Sequence, residues 1–237
     1  MSTIAPALAK AEVNYPECDG LPMADNTKQF RYIVTIEGGL DALYRDAADV
    51  FVAGDLLWYP VEGENTIRIA PDVLAVFGRP KGDRGSYLQW VEDNIAPQVV
   101  FEVLSPGNRT GKLIAKFRFY EKYGVEEYYI YDPDDGELNG WIRTDGQLRE
   151  IPQMQGWISP RLKIRFELVD GELQLFGPDD RKFATYVELV EQREKERQEK
   201  EKERQEKEKE RQAKEKERQR AERLAAQLKA LGVEPEA

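Results

Sequence analysis

The sequence predicts a mixed α/β domain followed by a long, charged C-terminal helix. Three observations carry that prediction. Short apolar runs such as VLAVF at 73–77 and VVFEVL at 99–104 are bounded by proline, glycine and acidic turn material, as buried strands are. After the second run, Leu113, Phe117 and Tyr120 recur at helical spacing and Gly124 closes the segment. Near Glu191 the composition changes abruptly to Glu, Lys, Arg and Gln. The chain therefore divides into a loosely ordered arm at 1–26, a compact domain at 27–190, and a charged heptad-repeat helix with its tail at 191–237.

Within the domain, Ile33, Ile36, Leu40, Leu43 and Tyr44 predict a helix over 27–48. Phe30, Tyr32, Val34 and Ile36 also alternate, and Gly38-Gly39 interrupts, so a strand reading competes there. One strand is expected over 50–59, ended by Pro60 and the turn Gly63-Glu64-Asn65, and another from Pro71-Asp72 through Phe77. Residues 78–86 read as a charged loop leading to Tyr87-Leu88-Gln89-Trp90. A third main strand covers 99–104, broken by Ser105-Pro106-Gly107-Asn108. The 113–123 helix follows, then a strand at 127–131 stopped by Asp132-Pro133-Asp134-Asp135-Gly136. A β-rich extension closes the domain, with strands at 138–142, 147–151, 162–168 and 173–176. The order is helix, three strands, helix, strand, extension.

From Glu191 to Arg223 the chain has 14 Lys or Arg and 12 Glu in 33 residues. Arg197-Gln198, Arg204-Gln205, Arg211-Gln212 and Arg218-Gln219 repeat every seven positions, and Glu196–Lys200, Glu203–Lys207 and Glu210–Lys214 have supportive i,i+4 spacing. Leu224, Leu228 and Leu231 set the heptad phase, which places Glu196, Glu203, Glu210 and Glu217 at d and Arg193, Lys200, Lys207 and Lys214 at a. A charged seam offers no apolar burial. The tract reads as a solvated helix on its own, with pairing through the leucine end as the alternative. Gly232 and Pro235 should stop it.

Composition narrows the chemistry. The 237 residues include no histidine and one cysteine, Cys18. Histidine-dependent nucleophilic systems and nucleases, imidazole zinc sites and thiolate clusters are excluded, and nothing asks for an oxidising compartment. The N-terminus lacks a signal-peptide pattern and no apolar run approaches 18 residues, so a cytoplasmic protein without a membrane partner is expected. Of 35 basic and 45 acidic residues, the tract removes 14 and 12. That leaves 21 basic and 33 acidic elsewhere, a balance of −12 that opposes a polyanionic partner. Basic residues at 79–84 and 112–122 provide local exceptions.

Two acids stand where strands should be apolar. Asp72 follows Pro71 at the edge of VLAVF, and Glu102 interrupts VVF-E-VL. Such a carboxylate is costly unless paired or bound to a cation. Neighbouring strands would bring both acids to one end of a sheet, where carboxylates, a backbone carbonyl and waters suit Mg²⁺. Lys116, near Phe117 and Tyr120 on the following helix, can add a positive charge. Each has a plainer reading: Asp72 as a turn acid, Lys116 as a snorkelling helix lysine, Tyr120 as partly core. Asp55 reads mainly as a structural turn, although it could face the same cleft. Arg79, Lys81 and Arg84 are either phosphate contacts or a solvated loop. Trp58, Trp90, Trp141 and Trp157 read as core or rim.

In order along the chain, VFVAGDLLWYPVEG, PDVLAVFGRPKGDRGSY, VVFEVLSPGN and KFRFYEKYGVEEYYIYDPD resemble the PD-(D/E)xK nuclease superfamily, and more narrowly its Uma2-type (DUF820) restriction-endonuclease family. The resemblance spans about residues 28–135. It implies a restriction-endonuclease-like αβββαβ core carrying the β-rich extension and the charged helix. Pro71-Asp72 matches the family's PD and Glu102 its third-strand acid. The superfamily's lysine two residues later is Leu104 here, and the Uma2-type pattern takes it from the next helix, where Lys116 stands with Tyr120 one turn on. Lys112 departs from the acid common four positions before that lysine. By resemblance, Asp72, Glu102 and the Val103 carbonyl would bind Mg²⁺ or Mn²⁺, and Lys116 would orient the attacking water or stabilise developing charge. The expected function is metal-dependent hydrolysis of DNA phosphodiesters, with dimerisation expected because such folds commonly pair to cut both strands. The alternative is a catalytically inactive interaction module that uses the helix as a spacer.

Overall fold

The structure, a computed structural model, describes residues 13–18, 26–105 and 110–230. The chain forms two compact units, one through Thr185 and one from Tyr186. Most of the 1–26 arm, the Pro106–Asn108 breaker, Leu231 and the Gly232/Pro235 stop lie outside the described residues. Within the arm, Tyr15 packs on Tyr59 and Trp90, and the Tyr59 hydroxyl donates to the Pro16 carbonyl at 2.6 Å.

Helix α1 (Thr27–Leu43) starts where Asn26 accepts the backbone N–H groups of Lys28 and Gln29, which satisfies two orphan donors. It buries Gln29, Ile33, Ile36 and Leu40, so the helical period wins over the alternation. Gly39 has a local reason: the Phe183 ring presses against it where a Cβ would clash. The helix stops at Leu43, short of the expected 48.

A mixed six-stranded sheet is the centre of the unit. It runs β1 (Val50–Gly54), β3 (Val73–Phe77), β5 (Val99–Val103), β6 (Glu127–Asp132), β7 (Glu137–Thr144), β8 (Gln147–Glu150) in spatial order. The expected strand at 50–59 is cut at Asp55, which adopts a left-handed φ of 47°. It resumes as β2 (Trp58–Tyr59), paired in parallel with β4 (Tyr87–Leu88). The parallel neighbours in the large sheet, β5 and β6, are joined through α2 (Thr110–Tyr123). Strands β9 (Arg165–Val169) and β10 (Glu172–Phe176) form a separate hairpin. The first of these was expected from 162; residues before Arg165 instead form a turn with Lys163 at φ 59°.

Side-chain alternation builds two cores. Val73, Ala75, Val99, Phe101, Val103, Tyr129 and Tyr131 join α1 and the β9–β10 hairpin on one face. Leu74, Val76, Val100, Tyr128 and Ile130 pack with Tyr120 and Phe117 of α2 on the other.

The second unit is helix α3 (Tyr186–Ala230), 45 residues and about 68 Å long at the usual rise. It begins five residues before the charged composition does. None of its residues is buried, and its charges pair within the helix, as in Arg204–Glu201, Lys207–Glu203 and Lys214–Glu210. Among the described residues no helix is long and apolar enough to cross a membrane.

Candidate active site

At the C-terminal end of β5, Phe101 and Val103 face the α1 core, so the intervening Glu102 side chain faces α2. It is 2% exposed. Lys116 and Tyr120 lie one helical turn apart on α2 and meet it together. Lys116 Nζ donates to Glu102 Oε2 at 2.5 Å, and the fully buried Tyr120 hydroxyl donates to Oε1.

Asp72 enters from the neighbouring strand. Because β3 runs antiparallel to β5, its N-terminal end meets the C-terminal end of β5. The Leu104 N–H bonds the Tyr131 carbonyl on the β6 side, so the backbone groups of Val103 point the other way, past the end of β3. Two side chains take them. Asp72 Oδ2 accepts the Val103 N–H at 2.7 Å, and Gln29 Nε2 of α1 donates to the Val103 carbonyl at 2.9 Å. Asp55 is tied in through its own N–H, which donates to the Asp72 carbonyl at 3.2 Å.

The electrostatics follow. Burial pulls the Lys116 ammonium toward deprotonation, but the charges of Glu102 and Asp72, the hydrogen bond to Glu102 and the charge of Asp55 outweigh it and raise its pKa. Lys116 is therefore a cation at neutral pH. Burial first, then Glu102, push the Tyr120 pKa far upward, so its hydroxyl stays a donor. Asp55 combines both sequence readings: it makes the left-handed turn and its charge reaches Lys116.

Among the described residues no group of three or more His, Cys, Asp or Glu is gathered as a metal cluster. The donors at hand are the carboxylates of Asp72 and Glu102 and the carbonyl of Val103, all hard oxygens, which fits Mg²⁺ or Mn²⁺ rather than a soft metal. Two buried polar atoms close to this set, Gln29 Oε1 and the Tyr128 hydroxyl, have no hydrogen-bond partner among the described residues. The charges of Glu102 and Asp72 both act on that hydroxyl. Neither residue was singled out in the sequence. Stepping the α1 face back four residues from Ile33 would have reached Gln29.

Arg79, Lys81 and Arg84 are held by acids outside this cluster. Arg79 and Arg84 both bond the buried carboxylate of Glu92, at 2.8 and 2.6 Å, and Arg84 also covers the Phe51 ring. Lys81 pairs with Asp41 at 2.9 Å. Lys81 and Arg84 line a cleft of about 500 Å³ along edge strand β1, together with Glu37, Gly54 and Asp83. Cys18 is exposed.

A second buried acid was also missed. Glu127 is 1% exposed and accepts from the Tyr129 and Ser159 hydroxyls and from the Arg161 N–H, which anchors the turn that precedes β9. Its partners are neutral donors, in contrast to the lysine on Glu102.

None of the curated proteins matches the chain. Among solved structures, a crystal structure from Anabaena variabilis described as "a putative nuclease belonging to DUF820" is similar over 59% of this chain and 74% of that one, at 16% identity and a TM-score of 0.43. The family model Uma2, described as "Putative restriction endonuclease", matches residues 22–162. That span is more than half of the chain and contains Asp72, Glu102 and Lys116, and the protein belongs to the Uma2 family.

Proposed function

We propose that the chain is a divalent-cation-dependent DNA endonuclease built on a PD-(D/E)xK core, with Asp72, Glu102 and Lys116 as its reactive centre. The observation that carries this reading is the meeting, at one sheet end, of a strand carboxylate, the carboxylate just before the neighbouring strand and the ammonium of the crossover helix. Asp72, Glu102 and the Val103 carbonyl would hold Mg²⁺ or Mn²⁺. Such an ion polarises a scissile phosphate and lowers the pKa of a bound water.

The remaining work falls to the side chains. Lys116 is protonated, so it serves as a donor that orients the attacking water or offsets charge growing on the phosphoryl oxygens. Tyr120 fixes the rotamer of Glu102, and the Val103 N–H fixes that of Asp72. The acidic balance of the domain disfavours a polyanion, but Lys112, Lys116, Arg118 and Lys122 put local positive charge on α2.

The test is cleavage of supercoiled plasmid with Mg²⁺ or Mn²⁺ by the native chain, Glu102→Gln and Lys116→Ala. Activity in the native chain alone supports the reading. Equal cleavage by all three would place the chemistry elsewhere. No cleavage, with no metal binding by calorimetry, would favour an inactive interaction module.

A further inference from the structure

Of the four residues α1 buries, three are aliphatic and the fourth is Gln29. A leucine would bury as well there and carry no polar atoms. Gln29 is 6% exposed, and one half of its amide is used: Nε2 donates to the Val103 carbonyl at 2.9 Å. A carbonyl can only accept, so this contact fixes which end of the amide is nitrogen. The other end, Oε1, is a buried acceptor with no donor among the described residues. A leftover buried acceptor in a native protein calls for a specific explanation, and a water or an ion at the site is one.

The carbonyl that Gln29 holds belongs to the residue whose N–H holds Asp72. Val103 is thus clamped on both backbone groups, and a carbonyl has a second lone pair beside the one Gln29 uses. We propose that Gln29 is a positioning residue of the site: it holds the Val103 carbonyl for a divalent cation, and its Oε1 accepts a hydrogen bond from water that the cation brings. This rests on the proposed metal-dependent reading and adds a residue from the opposite face of the sheet. A hydrated Mg²⁺ or Mn²⁺ keeps several waters, each a strong donor, which is the partner Oε1 lacks.

The experiment is Mn²⁺ titration of the full chain by calorimetry, with thermal unfolding with and without Mn²⁺. It compares the native chain, Gln29→Met and Gln29→Glu. Gln29→Met keeps the length and apolar packing but has neither amide atom, and should weaken Mn²⁺ binding on the order of 10-fold or more, the usual effect of losing an outer partner of a metal ligand. Gln29→Glu keeps an acceptor but loses the donor to Val103. It should unfold at lower temperature without Mn²⁺ and recover more than the native chain when Mn²⁺ is added. If the native chain binds Mn²⁺ and Gln29→Met binds it equally well, Gln29 merely ties α1 to β5 and the inference fails while the metal reading stands. If the native chain binds no Mn²⁺, the metal reading fails and takes this inference with it. If Gln29→Met does not fold, Gln29→Glu decides: Mn²⁺-dependent recovery no greater than that of the native chain overturns the inference.

Discussion

The ammonium of Lys116 stands 2.5 Å from Oε2 of Glu102, on a carboxylate that is 2% exposed. A positive charge already occupies the place beside Glu102 that a metal ion would need. Under the proposed reading, Lys116 and the metal compete for one oxygen, and a divalent cation would have to displace the ammonium or share the carboxylate with it.

Lys116→Met should therefore separate two properties that most active-site substitutions lower together. Without the competing charge, Mn²⁺ affinity measured by calorimetry rises, while plasmid cleavage falls by about 100-fold or more. Without metal the variant is destabilised by about 3 kcal/mol, because a buried carboxylate loses its cation, and Mn²⁺ restores it. Mn²⁺ affinity that falls along with activity would show that Lys116 supports the cation instead of opposing it.

Tyr120→Phe removes the donor to the other oxygen of Glu102 without changing the ring that packs between Trp58, Phe119 and Tyr128. Denaturant melts should show a loss of about 2 kcal/mol, the value of a hydrogen bond to a charged acceptor. Cleavage should drop less than in Lys116→Met, because Tyr120 holds Glu102 in place and is too deep to reach a substrate. A larger loss of activity than in Lys116→Met would assign the hydroxyl a direct part in the reaction.

The strands that carry the site were legible because an acid in an apolar run is physically expensive. Glu102 announced itself in VVF-E-VL, and Lys116 and Tyr120 followed from helical spacing on α2. The contact of Gln29 with Val103 was hidden because it depends on the β3 pairing stopping at Phe101, two residues short of the end of β5, a register fact that no local pattern encodes. Asp55 reads as a structural turn from the sequence, yet the expected strand runs through it to 59, because the left-handed φ that cuts the strand shows only in the fold. Arg79 and Arg84 looked like free cations because Glu92, which they clamp, lies 8 to 13 residues further along. Their loop is held by charge, whereas the sequence shows only that it is charged.

That loop makes the fold sensitive to acid. The hydrogen bond from Arg84 comes first in holding the Glu92 pKa below the ordinary carboxylate value; burial opposes it and Arg79 adds to it. A depressed folded pKa contributes stability that is present above the unfolded value of about 4.3 and is lost as pH falls toward the folded value. Glu92→Gln should be less stable than the native chain at pH 7, and the gap should close below about pH 4. Urea midpoints collected from pH 7 to pH 3 measure this directly. A gap that stays constant over the range would mean that packing, and not the charge on Glu92, holds the loop.

Glu127 and Glu102 provide an internal control, because both are buried strand acids and only one faces a lysine. Burial is the main cause raising the Glu127 pKa, and the Ser159 hydroxyl, the Arg161 N–H and the Tyr129 hydroxyl oppose it only in part. A carboxylate with a raised folded pKa costs stability when ionised, so its penalty is present at neutral pH and is relieved as pH falls through the folded value. Glu127→Gln removes that ionisation while its carbonyl oxygen can still accept from Arg161. It should cleave plasmid within about 2-fold of the native chain and stay within about 1 kcal/mol of it at pH 7. Glu102→Gln keeps a partner for Tyr120 but loses the charge that faces Lys116, and should lose at least about 100-fold in cleavage along with Mn²⁺ binding. Equal loss of cleavage in both variants, with equal destabilisation, would trace the effect to buried-acid structure and remove Glu102 from the reaction.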